Sequence, residues 1–236
     1  MAKLLFREDG YQTTCQAVVT AAGPEGIELD QTVFYAESGG QPGDQGSLTL
    51  PDGSKVGILD TKKGATPDAI RHIPAPGAAL PAVGTTVTAE IDWARRHRFM
   101  RMHTALHLLS SLVKGDVTGG QVGDGKGRLD FNLPDGAPDK DLLSEGLNRL
   151  VDEQHSVEPR WITDEELAAQ PELVRTMSVK PPSGHGRVRL LDIAGVDLQP
   201  CGGTHVRNTG EIGRLTVTKI ENKGKMNRRI NLAFVE

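Results

Sequence analysis

From residue 1 to about residue 90, apolar positions come in short runs separated by turn formers: CQAVVTAAG, GIELDQTVFY, GSLTLPDGSKVGILD and TVTAEID. Runs of that length and spacing predict the strands of a small β-barrel or sandwich. Asp52-Gly53, between SLTL and SKVGIL, predicts a hairpin, because both residues tolerate the positive φ that a tight reversal demands. The Pro, Gly and Ala-rich stretch at 72–84, HIPAPGAALPAVG, is a linker or a long barrel loop returning to TTVTAEI, and the loop is the favoured reading.

At Asp92 the period of two gives way to a helical period. Asp92 is a plausible N-cap, Phe99, Met102, Leu106, Leu109 and Val113 recur three or four apart, and Gly115 supplies a C-cap signal. A second amphipathic helix fits DLLSEGLNRLVDEQH, where Leu143, Leu147, Leu150 and Val151 share a face. A third starts at Thr163, with Glu166 completing a capping box, and Pro171 ends it. Alternation returns in RVRLLDI, GRLTVTKIE and RINLAFV, which predict sheet strands. The fold class is therefore α+β, organised as an N-terminal β-barrel over 1–91 and an α+β domain over 92–236. No internal repeat or low-complexity tract interrupts this division.

Composition narrows the function classes. A length of 236 residues exceeds one average domain and suits two modest cores. Two cysteines, Cys15 and Cys201, are too few for a disulfide framework, and the N-terminus lacks the apolar core of a secretory signal, so a reducing cytoplasm is expected. No run approaches the ~20 apolar residues of a membrane span, and a membrane role is not expected. A net charge of −4 gives no global attraction to nucleic acid, so a polyanionic partner would need local basic clusters.

Two of the few histidines stand out. MHTALHLL puts His103 and His107 one i to i+4 step apart, so both imidazoles can leave one helical face. Such a pair also arises as ordinary packed core. PCGGTHVRN repeats the separation with Cys201 and His205, on a loop where Gly202 and Gly203 permit a tight turn. Two such pairs make a His-His-Cys-His set that suits Zn2+. Thr104 stands where a zincin protease carries its general-base glutamate, which argues against a peptidase. A closed four-ligand site is usually structural, so zinc that only braces the fold stays open beside a catalytic role.

IDWARRHRFMRMHTALHLLSS, VTGGQVGDGKGRLDF and PCGGTHVRNTGEIG together resemble the alanyl-tRNA editing family, which comprises AlaX proteins and the editing domain of alanyl-tRNA synthetase. FYAESGGQPGDQG, residues 34–46, is similar to the glycine-rich motif of the longer AlaX members, here Ser38, Gly39, Gly40, Gln41 and Asp44. The threonyl-tRNA synthetase editing domain shares the two metal pairs but not this segment. The resemblance implies a barrel related to translation-factor barrels, followed by the editing domain of alanyl- and threonyl-tRNA synthetases. It implies a freestanding, ATP-independent hydrolase with a Zn2+ cofactor that acts in trans on tRNA(Ala) mischarged with serine, and with glycine as a second acyl group. No obligatory protein partner is implied.

The same resemblance suggests residue roles. Gln121 matches a family glutamine near the aminoacyl group, and its amide can both donate and accept toward a serine hydroxyl. Its plain alternative is a polar loop residue. Thr104 and the glycine N–H groups of CGGT are candidate orienting donors. Many relatives have a hydroxyl residue just before the second histidine, where this chain has Leu106. Phosphate contacts are expected from Arg95, Arg96, Arg98 and Arg101, and from Lys219, Lys223, Lys225, Arg228 and Arg229, unless these cations are simply solvated. The glycine-rich motif is either a sharp barrel corner, with Asp44 satisfying turn amides, or an interdomain element, and the second is favoured.

Overall fold

The computed structural model describes residues 2–66, 69–174 and 186–235. The chain forms two compact units, Met1–His97 and Arg98–Glu236. Among the described residues, no helix is long and apolar enough to cross a membrane.

The first unit begins with β1 (Lys3–Leu4), β2 (Thr14–Gly23), β3 (Gly26–Leu29) and β4 (Gln31–Thr32), and β1 pairs with β4 in parallel. It continues with β5 (Gly46–Thr49), β6 (Lys55–Lys63), β7 (Ile70–Pro74) and β8 (Thr86–Ile91). Six strands close a barrel in the order β2-β3-β7-β6-β5-β8, so the expected small barrel is present and has no open edge. Alternating residues such as Val19, Ile27, Leu48, Ile58, Val87 and Ala89 fill its core. Gly53, at φ +84°, turns β5 into β6 as Asp52-Gly53 predicts, whereas His72, Ile73 and Pro74 of the expected 72–84 loop belong to β7 and only the stretch after them returns to β8 as a loop.

The glycine-rich motif is a corner of this barrel. Ser38 and Gln41 exchange backbone hydrogen bonds across Gly39 and Gly40, both at positive φ, which makes a tight turn of the kind open to glycine pairs. Asp44 does more than satisfy a turn. Its carboxylate accepts from the Tyr35 N–H at 2.6 Å and from the Arg96 guanidinium, and Arg96 also donates to Gly10 O and Val33 O. Both side chains are essentially inaccessible to water. All of these partners belong to the first unit.

α1 (Trp93–Leu112) starts where expected, with the Asp92 carboxylate accepting from the Arg95 N–H at 3.0 Å. Phe99, Met102, Leu106, Leu109 and Val113 are buried, but so are Met100, Ala105 and Leu108, so the helix runs through the interior instead of lying on a surface. Gly115 does not take the left-handed conformation of a C-cap. A Cβ there would meet Asn132 O and a Leu133 methyl at 2.7 Å, so close packing is what requires glycine.

The second unit then adds β9 (Asp116–Val122), β10 (Lys126–Asn132), α2 (Lys140–Asp152), β11 (Val157–Thr163) and α3 (Asp164–Ala168). After these come β12 (Arg187–Ile193), β13 (Asp197–Pro200), β14 (Leu215–Asn222) and β15 (Asn227–Phe234). One antiparallel sheet has the order β14-β15-β10-β9 and the other β11-β12-β13. Asp139 caps α2, whose buried face is Leu143, Leu147, Leu150 and Val151. The Thr163–Glu166 capping box opens α3, which stops at Ala168, and Pro171 begins a separate 3-10 turn.

Candidate metal centre

One helix and one strand pair supply the chemistry. α1 carries His103 and His107 on one face, both buried, with ring centroids 5.4 Å apart. β12 and β13 deliver the other pair. Cys201 follows the last residue of β13, and its N–H donates to Arg189 O at 3.0 Å, continuing the strand register by one step. The Arg189 guanidinium donates to Cys201 O (2.8 Å) and Gly203 O (3.0 Å), which pins the loop from the neighbouring strand. The His205 ring then lies 4.3 Å from that of His103 and 5.1 Å from that of His107.

The four donor atoms of His103, His107, Cys201 and His205 lie within 4.8 Å of one another. Cys201 Sγ is 3.1 Å from His205 Nε2 and 3.7 Å from His103 Nε2. Zn–N and Zn–S bonds of about 2.0 and 2.3 Å give tetrahedral N–N and N–S edges of about 3.3 and 3.5 Å, and the two Cys201 distances lie on either side of the latter.

Polar contacts behind the donors set their tautomers. The Thr104 hydroxyl gives its one proton to Met100 O (2.9 Å), so it acts as acceptor toward Val206 N (3.3 Å) and His205 Nδ1 (3.2 Å). The His205 ring proton is thereby held on Nδ1, and the Nε2 lone pair faces the cluster. On the other side, His107 Nδ1 lies 3.5 Å from Asp197 Oδ2. Gln199 Nε2 donates to Asp197 Oδ1 at 3.0 Å and to Ser110 Oγ at 3.1 Å, so the carboxylate is itself held.

The electrostatics favour a cation. Burial raises the Cys201 thiol, but the charges of His205 and His103 outweigh it and hold the group well below its usual range. Burial opposes a proton on His107, yet Asp197 and Cys201 carry its pKa up to about 9. Burial, with repulsion from His103 and His107, presses His205 down to about 3 against the attraction of Cys201. The surroundings thus favour a thiolate at Cys201, and a cation with nitrogen and sulfur ligands suits a thiolate among three imidazoles.

Several expected roles change. Thr104 is fully buried and its hydroxyl is committed to Met100, His205 and Val206, so it supports the His205 ring. The Gly203 N–H points at Cys201 Sγ (3.4 Å), so that amide serves the thiolate. Gln121 stands exposed on β9, accepting from Arg128 Nε across the hairpin at 3.4 Å. Leu106 is buried.

Among the expected phosphate-binding cations, Arg96 is corrected outright: it is fully buried on Asp44 and cannot reach RNA. Arg101 donates to Ile212 O and covers the Phe234 ring at 4.2 Å, and Arg95 is half-buried with a contact to Gly43 O. Arg98 is exposed and pairs with Asp124. Lys219 and Lys223 pair with Glu221, Arg229 is bidentate on Asp130, and Arg228 caps the β14–β15 hairpin through Gly224, Lys225 and Asn227 carbonyls. Lys225 is exposed on that hairpin. Asp197, Gln199 and Arg189 join the site without being expected there. The one signal in the sequence, for Asp197 and Gln199, is the alternation of DLQPC, which puts them on one strand face with Cys201.

Two family models match parts of the chain. "Threonyl and Alanyl tRNA synthetase second additional domain" matches residues 188–231, and "tRNA synthetases class II (A)" matches residues 5–95. The alanyl-tRNA editing protein AlaX-M of Methanosarcina acetivorans is 34% identical over 247 aligned positions spanning all of both chains. The chain belongs to the AlaX-M alanyl-tRNA editing family. A second member, from Saccharolobus solfataricus, is 30% identical over 98% of each chain. The alanine–tRNA ligase of Sulfurisphaera tokodaii is 35% identical over 93% of this chain, which covers 25% of that protein.

Proposed function

We propose that this protein hydrolyses, in trans, the aminoacyl ester of tRNA(Ala) mischarged with serine, and more weakly with glycine, with Zn2+ held by His103, His107, Cys201 and His205. The observation that carries the reading is the four-donor cluster, within 4.8 Å, in a chain of the alanyl-tRNA editing family. A zinc ion so held would supply Lewis-acid chemistry to the ester.

The chain's own residues do the rest. Thr104 and Asp197 fix two of the three ligand histidines, His205 and His107, so that their unprotonated nitrogens stay convergent. Arg189 holds the ligand loop through its carbonyls, and the Gly203 N–H steadies the thiolate. Gln121 is the proposed contact to the seryl hydroxyl, since its exposed amide can both donate and accept. A site that hydrogen-bonds a hydroxyl discriminates against an acyl group lacking one far better than an apolar pocket does.

A second reading has its own support. All four donors come from the protein, and three of the four are buried, as in closed structural zinc sites. In that case the protein binds tRNA without cleaving it. Deacylation of seryl-, glycyl- and alanyl-tRNA(Ala), with metal content measured alongside, separates the two. The editing reading requires release of serine, sparing of alanine, and loss of turnover in a folded His107→Ala variant. Metal-replete protein that binds tRNA and releases nothing would establish the non-catalytic reading.

A further inference from the structure

Strand register lines up an exposed tryptophan with the metal-ligand loop. Trp161 on β11 lies directly opposite Arg189 on β12. Leu190 pairs with Pro200, and the Cys201 N–H donates to Arg189 O, so Arg189 in turn faces Cys201. Directly opposed residues of antiparallel strands project to the same face. Trp161, Arg189 and Cys201 therefore form one row, and its ends are two strand spacings, about 10 Å, apart.

That face is the one turned toward the site. By the same register it carries Leu191 opposite Gln199 and Ile193 opposite Asp197, and these two polar side chains reach Ser110 and His107 of α1. At its far end the face is closed, with Val157, Leu191 and Ile193 all buried. At the Cys201 end it opens, and Trp161 is 41% exposed. The accessible indole of Trp161 is a planar apolar surface, and Arg189, opposite it on β12, is anchored by its guanidinium to the ligand loop.

The proposed substrate has a matching shape. An aminoacyl ester and a nucleobase sit on opposite sides of one ribose, so an ester held at the metal centre carries its base one sugar's width away. We propose that Trp161 is the stacking platform for the unpaired terminal base of the aminoacylated RNA end, a role that rests on the deacylase reading. Every base offers a π-face, so this contact positions the nucleotide without selecting it. Trp161 is a positioning residue, and its removal registers in KM more than in kcat.

The chain has two tryptophans, so a Trp93→Phe background leaves Trp161 as sole reporter. The probe is the trinucleotide CCA, set against the same trinucleotide with an abasic 3′ end. Saturable quenching of Trp161 emission by the first and not by the second is expected. In deacylation of seryl-tRNA(Ala), Trp161→Ala should raise KM about tenfold, in line with the usual worth of a base–aromatic stack, with kcat within twofold, and Trp161→Phe should restore most of it. Equal emission changes with both trinucleotides, no change with either, or an unaltered KM in Trp161→Ala would overturn the inference. A wild-type protein that deacylates nothing would sink the deacylase reading instead, and the quenching pair would still decide on the platform.

Discussion

Single residues decide what the metal cluster can hold. Asp197 is the clearest case, because its carboxylate, held by Gln199, faces the nitrogen of His107 that points away from the other donors. Asp197→Asn keeps the shape and removes the charge. Metal affinity should fall about 10- to 100-fold with the far-UV circular dichroism unchanged, as chelator competition would show, and undiminished affinity would dismiss the contact as incidental. His72 tests the other unit. It is buried in the barrel with Nδ1 on Ile27 O and Nε2 toward the Thr32 hydroxyl, each at 2.8 Å, and burial lowers its pKa from 6.5 to about 4. The folded state holds the neutral ring, so its contribution is complete above pH 6.5 and is lost as the pH falls from 6.5 to 4, where the unfolded chain binds the extra proton. The full loss is about 3 kcal/mol. Ring nitrogen shifts should report a neutral His72 at pH 5.5, and a charged ring there would remove the effect. Neither set of partners is legible in the sequence. The helical spacing of His103 and His107 and the Cys201–His205 loop announce ligands, whereas Asp197 and Thr104 act on them from about 90 and 100 positions away in the chain, distances that no local pattern records.

Elements are legible where side chains alternate cleanly. α2, the α3 capping box, the Asp52-Gly53 hairpin, β12, β14 and β15 follow their periodicities. β9 and β10 escape because TGGQVGDGKG replaces apolar positions with glycine, and several of these glycines have a packing reason. A Cβ at Gly127 would strike the Met102 side chain at 2.9 Å, and one at Gly120 a Leu129 methyl at 2.8 Å. β11 contains Pro159 and runs almost wholly exposed, and β13 is four residues long and ends in proline, so neither shows an alternating apolar face. The glycine-rich motif is recognisable, but its partner Arg96 lies 52 residues on, in a basic run that reads as a phosphate-binding cluster. Within that motif the glycines differ. Gly39 and Gly40 supply positive φ in a tight turn, whereas a Cβ at Gly46 would overlap Glu90 O on the paired strand β8. Gly46→Ala must therefore spread β5 from β8 and should cost about 3 kcal/mol or more, against about 1–2 kcal/mol for Gly39→Ala. Urea unfolding of the two variants measures the contrast, and equal losses would mean that backbone freedom, not proximity, is what the barrel corner needs.

For the whole molecule the open physical question is how a chain of net charge −4 holds a polyanion. Much of its apparent basic surface is already committed. Arg96 is sealed on Asp44, Arg229 and Arg128 share Asp130, and Lys219 and Lys223 share Glu221. Neutralised pairs attract phosphate weakly, so few cations remain to displace counterions, and the proposed tRNA contact should rest mainly on the exposed Lys225 of the β14–β15 hairpin. The salt dependence of tRNA binding then has to be shallow, set by a handful of phosphates. Lys225→Glu should weaken binding of whole tRNA and flatten the plot of log affinity against log salt by about 0.7 to 0.9, the share of a single phosphate. It should leave deacylation of a small seryl-adenosine ester unchanged, because the metal donors and their supports lie elsewhere in the unit. A filter-binding series at graded salt checks this. A steep slope in the wild type would mean that the paired arginines and lysines exchange their carboxylates for phosphates on binding, and Asp130→Asn and Glu221→Gln would then strengthen tRNA affinity.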